Sequence, residues 1–156
     1  MEAVLLAGGL GTRLRSVVSD RPKPMALIEG RPFMEYVIHQ LSLQGVDHII
    51  FALGYKGSIV EEHFGDGSSF GIQVSYAYEE TLLGTAGAIK NAGRFVRDES
   101  FYVLNADTFY QIDYSRLIRL MEEKELEMAL VLRKVPDVSR YGEASLTQGR
   151  LTGFNE

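Results

Sequence analysis

The chain has no cysteine in its 156 residues, which excludes disulfides and thiolate metal sites and fits a reducing compartment. It has no apolar run near the length of a bilayer span, so its 46% hydrophobic content reads as the core of a soluble globular protein. No basic leader precedes the first apolar stretch, which Met1-Glu2-Ala3-Val4 enters directly; the expectation is a cytoplasmic protein without a secretion signal. Basic charge is also short. Sixteen Lys and Arg against 21 Asp and Glu leave a net −5, which disfavours broad nucleic-acid or anionic-membrane binding. There is no linker rich in Pro, Gly and Ser, no repeat and no low-complexity tract, and the length suits one domain spanning 1–156.

On this acidic background one stretch is basic. Between Gly11 and Arg31 lie Arg13, Arg15, Arg21, Lys23 and Arg31 against only Asp20 and Glu29, a balance that suits a small anionic ligand. The stretch opens with Leu6-Ala7-Gly8-Gly9-Leu10-Gly11-Thr12-Arg13-Leu14, after the apolar run Ala3-Val4-Leu5-Leu6 that reads as a strand buried on both faces. Gly8, Gly9 and Gly11 leave backbone N–H groups uncovered where that strand turns, and Arg13 and Lys23 supply charge, so the loop is predicted to cradle phosphate. Two familiar phosphate loops are excluded by what is missing. The dinucleotide fingerprint wants a third glycine where Leu14 stands and an acidic residue near Ala52-Leu53-Gly54, and the ATPase loop wants Gly-Lys where Gly11 is followed by Thr12-Arg13.

Downstream, strands and helices alternate. Ala26-Leu27-Ile28 reads as a brief extended piece, and Pro32 opens a helix whose Phe33, Met34, Val37, Ile38 and Leu41 fall at helical spacing and stop near Gly45. His48 to Leu53 reads as a second buried strand, and Ser58-Ile59-Val60-Glu61 carries a capping-box pattern for the next helix. Ile72, Val74, Tyr76 and Tyr78 alternate as in a half-exposed strand, and Thr85 is placed to cap a helix through Ala86-Gly87-Ala88. Phe101 to Leu104 forms a further strand ending in Asn105-Ala106-Asp107-Thr108, Asp113 caps a helix carrying Leu117, Ile118, Leu120 and Met121, and Met128 to Leu132 reads as another strand. The pattern predicts an α/β fold, a mainly parallel sheet with helices on both faces. It ends in an antiparallel hairpin, Glu143 to Leu146 and Leu151 to Phe154 through Gln148-Gly149. The break at Asn155-Glu156 suggests a domain truncated at its carboxyl end. Open parallel sheets bind ligands outside the carboxyl ends of their strands, where the glycine loop, the segment after Tyr78, and Asp107 all fall. A carboxylate at the position of Asp107 suits a hard cation such as Mg²⁺. His39, His48 and His63 show no metal-ligand spacing and read as ordinary helix-face or strand-edge residues.

Gly8-Gly9-Leu10-Gly11-Thr12-Arg13-Leu14 with Pro22-Lys23-Pro24-Met25, then Leu83-Gly84-Thr85-Ala86-Gly87-Ala88-Ile89, Asn105-Ala106-Asp107-Thr108 and Arg140-Tyr141-Gly142, resembles the sugar-1-phosphate nucleotidyltransferases over nearly the whole chain. Within that family the stretch from Arg15 to Ala26 is similar to the bacterial D-glycero-D-manno-heptose 1-phosphate guanylyltransferases. The resemblance implies a Rossmann-like catalytic domain that joins an NTP, GTP being favoured, to a sugar 1-phosphate with Mg²⁺ and releases pyrophosphate. It implies a nucleotide cradle of Leu6, Ala7, Gly8, Gly9, Gly11 and Thr12, with Glu79 reading the base and Gly84 and Thr85 beside base and ribose. Arg13 would meet the leaving phosphates, Lys23 the α-phosphate and Asp107 the metal as the catalytic groups, and Tyr141, Gly142 and Glu156 would meet the sugar. A carboxylate only accepts hydrogen bonds, and guanine offers two adjacent donors on its Watson–Crick edge where uracil and thymine offer one, hence GTP.

Three departures from the family pattern stand out. Ala106 replaces the usual glycine before the metal aspartate, and the lysine expected after Glu156 and a second metal-binding aspartate further on are absent. Mannose 1-phosphate guanylyltransferase, a uridylyl or thymidylyl transferase, and a non-catalytic nucleotide-binding module therefore stay open as readings. Monomer and homo-oligomer stay open too.

Overall fold

A computed structural model describes residues 1–9, 20–138 and 141–155. They fall into two compact units, Met1–Ser115 and Arg116–Glu156. The first is built on a four-stranded parallel sheet in the order β5-β4-β1-β6, from β1 (Glu2–Leu6), β4 (His48–Leu53), β5 (Gln73–Tyr78) and β6 (Phe101–Asn105). β1 is central, with Val4 level with Ile50 on one side and Val103 on the other. Every residue of β4 is buried, as its unbroken run His48-Ile49-Ile50-Phe51-Ala52-Leu53 requires of a strand covered on both faces.

The two faces are covered by different helices. Val4, Ile50, Ala52 and Ala77 share one face and pack with Ala88 and Ala92 of α3 (Gly84–Ala92), so the sheet presents small side chains where that helix lies close. Phe51 points to the opposite face, where its ring lies 5.2 Å from Phe64 of α2 (Gly57–Phe64) and 5.7 Å from Tyr76. α1 (Phe33–Leu43) buries Met34, Val37, Ile38 and Leu41, the stripe its spacing predicts, and ends before Gly45, whose φ of +86° suits glycine. The extended piece before it is real: β2 (Leu27–Ile28) pairs antiparallel with β3 (Arg31–Pro32) across Glu29-Gly30, both with positive φ.

In the second unit, α4 (Ser115–Glu123) follows the cap expected of Asp113, whose Oδ1 accepts the Ser115 N–H at 3.0 Å. β7 (Glu143–Thr147) and β8 (Arg150–Asn155) form the expected antiparallel hairpin. Its loop residues Gln148 and Gly149 both have positive φ, the geometry of a tight two-residue hairpin turn.

Four expectations fail. Residues 128–132 form no strand; Met128 and Leu130 are exposed and pair with no ladder, because apolar composition alone supplies no neighbouring strand edge. The capping box does not form. α2 starts at Gly57, where a Cβ would stand 2.9 Å from both Leu53 and Tyr78, and Lys56 precedes it in a left-handed conformation with no side-chain cap. Thr85 is likewise not a cap, since α3 begins at Gly84 with Leu83 before it. β5 does not alternate simply either: Ala77 is buried under α3 while Tyr78 is exposed, because both faces of this edge strand are partly covered.

Candidate active site

At the carboxyl ends of the parallel strands lies a cavity of about 390 Å³ lined by Leu6, Ala7, Gly8, Gly9, Lys23, Pro24, Glu79, Leu82, Gly84, Thr85, Ala88, Asn105 and Asp107. Nine of these thirteen are residues singled out from the sequence, drawn from four separate segments. Gly11, Thr12, Arg13 and Glu156 lie outside the described residues, as does Arg140. Tyr141 and Gly142 belong to the second unit, where Tyr141 is exposed and a Cβ on Gly142 would run into the Phe154 ring.

The first wall is the turn after β1. Ala7 prolongs the ladder, its N–H donating to the Ala52 carbonyl at 2.9 Å, and Gly8 is then wedged between two neighbours. A Cβ on Gly54 would stand 2.7 Å from the Gly8 carbonyl oxygen, and a Cβ on Gly8 would stand 2.9 Å from Glu79 Oε1. Backbone packing demands glycine at Gly54, whereas at Gly8 the end of the Glu79 side chain would have to give way. Gly9 is different: its φ is not positive, and among the described residues a Cβ there would meet nothing within 4 Å. Among the described residues packing supplies no reason for glycine at Gly9, whereas a ligand lying on the backbone would.

Glu79 forms the second wall. Its N–H donates to the Leu53 carbonyl at 2.8 Å, and its Oε2 accepts the Leu83 N–H at 3.1 Å, which fixes the carboxylate and the loop leading into α3 together. Gly84 has a φ of +68°, so the entry to α3 needs glycine, and the amino end of this helix faces the cavity through Gly84 and Thr85.

Lys23 and Asp107 close the third side. Lys23 opens a single 3-10 turn, Lys23–Met25, held by the Met25 N–H on the Pro22 carbonyl and anchored by buried Pro24 and Met25. Asp107 follows fully buried Ala106, whose N–H donates to the Leu6 carbonyl at 3.1 Å. Lys23 Nζ donates to Asp107 Oδ2 at 2.7 Å, and the Thr108 hydroxyl donates to Oδ1 at 3.2 Å.

Sequence reasoning missed Pro24, Leu82, Ala88 and Asn105 as lining residues. Asn105 had a findable signal, being the last residue of its strand and level with Leu6 beside the loop. Two glutamines had none. Gln40 on α1 and Gln44 at its carboxyl cap hold the chain beyond Asp107: Gln40 donates to the Tyr110 carbonyl, and Gln44 donates to Ile112 O at 3.0 Å while accepting the Tyr114 N–H at 2.8 Å.

Among the described residues no cluster of three or more His, Asp or Glu forms a metal cage, and no helix is long and apolar enough to cross a membrane. The partly exposed Asp107 carboxylate on this cavity fits Mg²⁺ in the way that ion is commonly held, by one or two carboxylates and the substrate's own phosphates.

Parallel order, glycine turn and strand-end carboxylate together define a nucleotidyl-transfer scaffold, and the sequence profile described as "Nucleotidyl transferase" matches residues 2–156: the chain belongs to the nucleotidyl transferase family, with its Rossmann-like fold. It is 44% identical over 148 residues to the D-glycero-alpha-D-manno-heptose 1-phosphate guanylyltransferase of Campylobacter jejuni subsp. jejuni, covering 95% of this chain and 64% of that protein. It is 39% identical over 156 residues to the enzyme of the same name from Aneurinibacillus thermoaerophilus, covering all of this chain and 67% of that one. The crystal structure of HddC from Yersinia pseudotuberculosis complexed with GMP-PN superposes with a TM-score of 0.80 at 35% identity, over 99% of this chain and 68% of that one. The chain thus spans about two thirds of the length of these relatives.

Proposed function

We propose that this chain carries the nucleotide-binding part of a sugar-1-phosphate guanylyltransferase, acting on GTP and a heptose 1-phosphate. The observation that carries the reading is the meeting, in one cavity, of a glycine turn, whose Gly9 has no packing reason to be glycine among the described residues, with Lys23 and Asp107. The similarity to two heptose 1-phosphate guanylyltransferases and to a structure complexed with GMP-PN supports the choice of base and sugar.

In the proposed reaction an oxygen of the sugar 1-phosphate bonds to the α-phosphorus of GTP while the bond from that phosphorus to the α,β-bridging oxygen breaks. Pyrophosphate leaves with that oxygen and GDP-heptose remains. The attacking oxygen is already anionic, so no protein nucleophile is needed, and catalysis reduces to aligning two anions and stabilising developing charge. Proximity of this kind supplies about 7 to 11 kcal/mol in favourable cases. Backbone N–H groups around Gly8, Gly9 and Gly11 cradle the phosphates, Arg13 steadies the leaving pair, and Lys23 neutralises the α-phosphate. Asp107 would hold Mg²⁺, which supplies Lewis-acid polarisation of phosphate oxygens when bound. Glu79, already oriented by Leu83, offers acceptor lone pairs to the N1–H and N2–H₂ of guanine, with Gly84 and Thr85 flanking the nucleoside. Tyr141, Gly142 and Glu156 are proposed to serve the sugar. A nucleoside triphosphate supply and a reducing milieu, which a chain without cysteine tolerates, support a cytoplasmic setting for the reaction.

The test is a pyrophosphate-release screen of GTP, ATP, CTP, UTP and dTTP against heptose, mannose and glucose 1-phosphates, run on this chain and on one extended to the length of its relatives. Release with GTP and heptose 1-phosphate above all other pairs is expected of the extended chain. A pyrimidine preference would overturn the guanine assignment, and GTP binding with no release from any sugar phosphate would make the protein a binding module.

A further inference from the structure

The groups assigned to the two charged ligands are each other's partners in this structure. Lys23 Nζ and Asp107 Oδ2 lie 2.7 Å apart although 84 residues separate them, and each backbone is anchored independently, one by buried Pro24 and Met25, the other by Ala106 on β1. Their side chains are 42% and 33% exposed, both toward the same cavity. The second Asp107 oxygen accepts the Thr108 hydroxyl at 3.2 Å, so one oxygen is held by an ammonium and the other by a neutral hydroxyl.

We propose that this ion pair couples the uptake of metal and triphosphate by exchange of partners, an inference that rests on the reading of Lys23 as a phosphate ligand and Asp107 as a metal ligand. A divalent cation arriving alone must compete with an ammonium for the charge of the Asp107 carboxylate and then sit beside that ammonium. A metal-free triphosphate must displace a carboxylate from Lys23 and then sit beside it. Either ligand alone breaks an attraction and creates a repulsion. The two together give each protein charge a new partner of opposite sign, so each ligand raises the affinity for the other, and reciprocally by the same factor.

Removing one member of the pair should therefore tighten one ligand and loosen the other. In calorimetric titrations without nucleotide, Lys23→Met is expected to bind Mn²⁺ about fivefold more tightly than wild type, the upper end for a partly exposed pair. In EDTA, Asp107→Asn is expected to bind GTP more tightly by a similar factor, while both variants bind GTP with Mg²⁺ more weakly than wild type. A double-mutant cycle on denaturant unfolding in EDTA should show favourable coupling between the two positions. Should Lys23→Met fail to fold, the Asp107→Asn arm decides alone. Unchanged or weaker Mn²⁺ binding by Lys23→Met, unchanged or weaker GTP binding in EDTA by Asp107→Asn, or zero coupling in the cycle, in a wild type that binds GTP with Mg²⁺, overturns the exchange and leaves the guanylyltransferase reading standing. Wild type that binds GTP neither with nor without Mg²⁺ overturns both.

Discussion

Three glycines around the cavity carry the same residue name for different reasons. At Gly54 and Gly8 the chain packs against itself, so an added methyl meets backbone or a fixed carboxylate; at Gly9 the described chain leaves open space. Gly54→Ala should push the Gly8 carbonyl outward, costing about 1 to 3 kcal/mol of stability as overpacking does and weakening GTP binding with it. Gly9→Ala should unfold within about 0.5 kcal/mol of wild type, as a substitution without clash does, yet bind GTP several-fold more weakly. Paired urea melts and GTP titrations separate the two. Equal stability loss in both variants would show that Gly9 is packed after all, and undiminished GTP binding by Gly9→Ala would remove it from the cradle.

Among elements, what could be read in the sequence depended on whether the signal was local. Strand β4 was legible because burial on both faces writes itself as an apolar run. The hairpin followed from an X-Gly pair, since a two-residue turn needs two positive φ angles. Helix starts were misread at Ser58 and Thr85, where close approach of a glycine or a left-handed residue ended the preceding turn and no side-chain cap was used. The glutamines were missed because their partners are remote. In the sequence Gln40 and Gln44 look solvated, and their purpose lies about 70 residues on, at carbonyls and an N–H that follow Asp107. Gln44→Ala leaves a donor and an acceptor of that segment unpaired, an expected loss of about 1 to 3 kcal/mol in denaturant unfolding. If the glutamine also positions Asp107, the Mg²⁺ midpoint of GTP binding should rise while metal-free GTP binding holds. A stability loss with an unmoved midpoint would confine Gln44 to a structural part.

Across the first unit the parallel sheet divides its labour by end. The carboxyl ends of the strands carry the cavity, and the opposite end carries a buried charge. Glu2, 2% exposed, accepts the N–H of Asp98 at 2.7 Å and of Arg97 at 2.5 Å, the Arg97 guanidinium at 3.1 Å, and pairs with His48 Nδ1 at 2.5 Å, while His48 reaches Ser75 at 2.9 Å. One carboxylate thus ties β1 to β4, through His48 to β5, and to the chain entering β6. Burial pushes its pKa up, but the Asp98 N–H, the His48 ring and the two Arg97 groups outweigh that and bring it from 4.5 down to about 2. A carboxylate depressed on folding contributes stability that is fully present above pH 4.5 and is lost as pH falls through about 2. That shift corresponds to about 3 kcal/mol. Glu2→Gln should be less stable at neutral pH, where it lacks the charge, and its stability should fall less steeply than wild type's between pH 4.5 and about 2, so that the two curves converge. Denaturant unfolding across that range reads the difference directly, free of the carboxylates common to both proteins. Curves that stay parallel through the window would mean that Glu2 is protonated alike in the folded and unfolded chains, and that the sheet is tied at this end by its ladder alone.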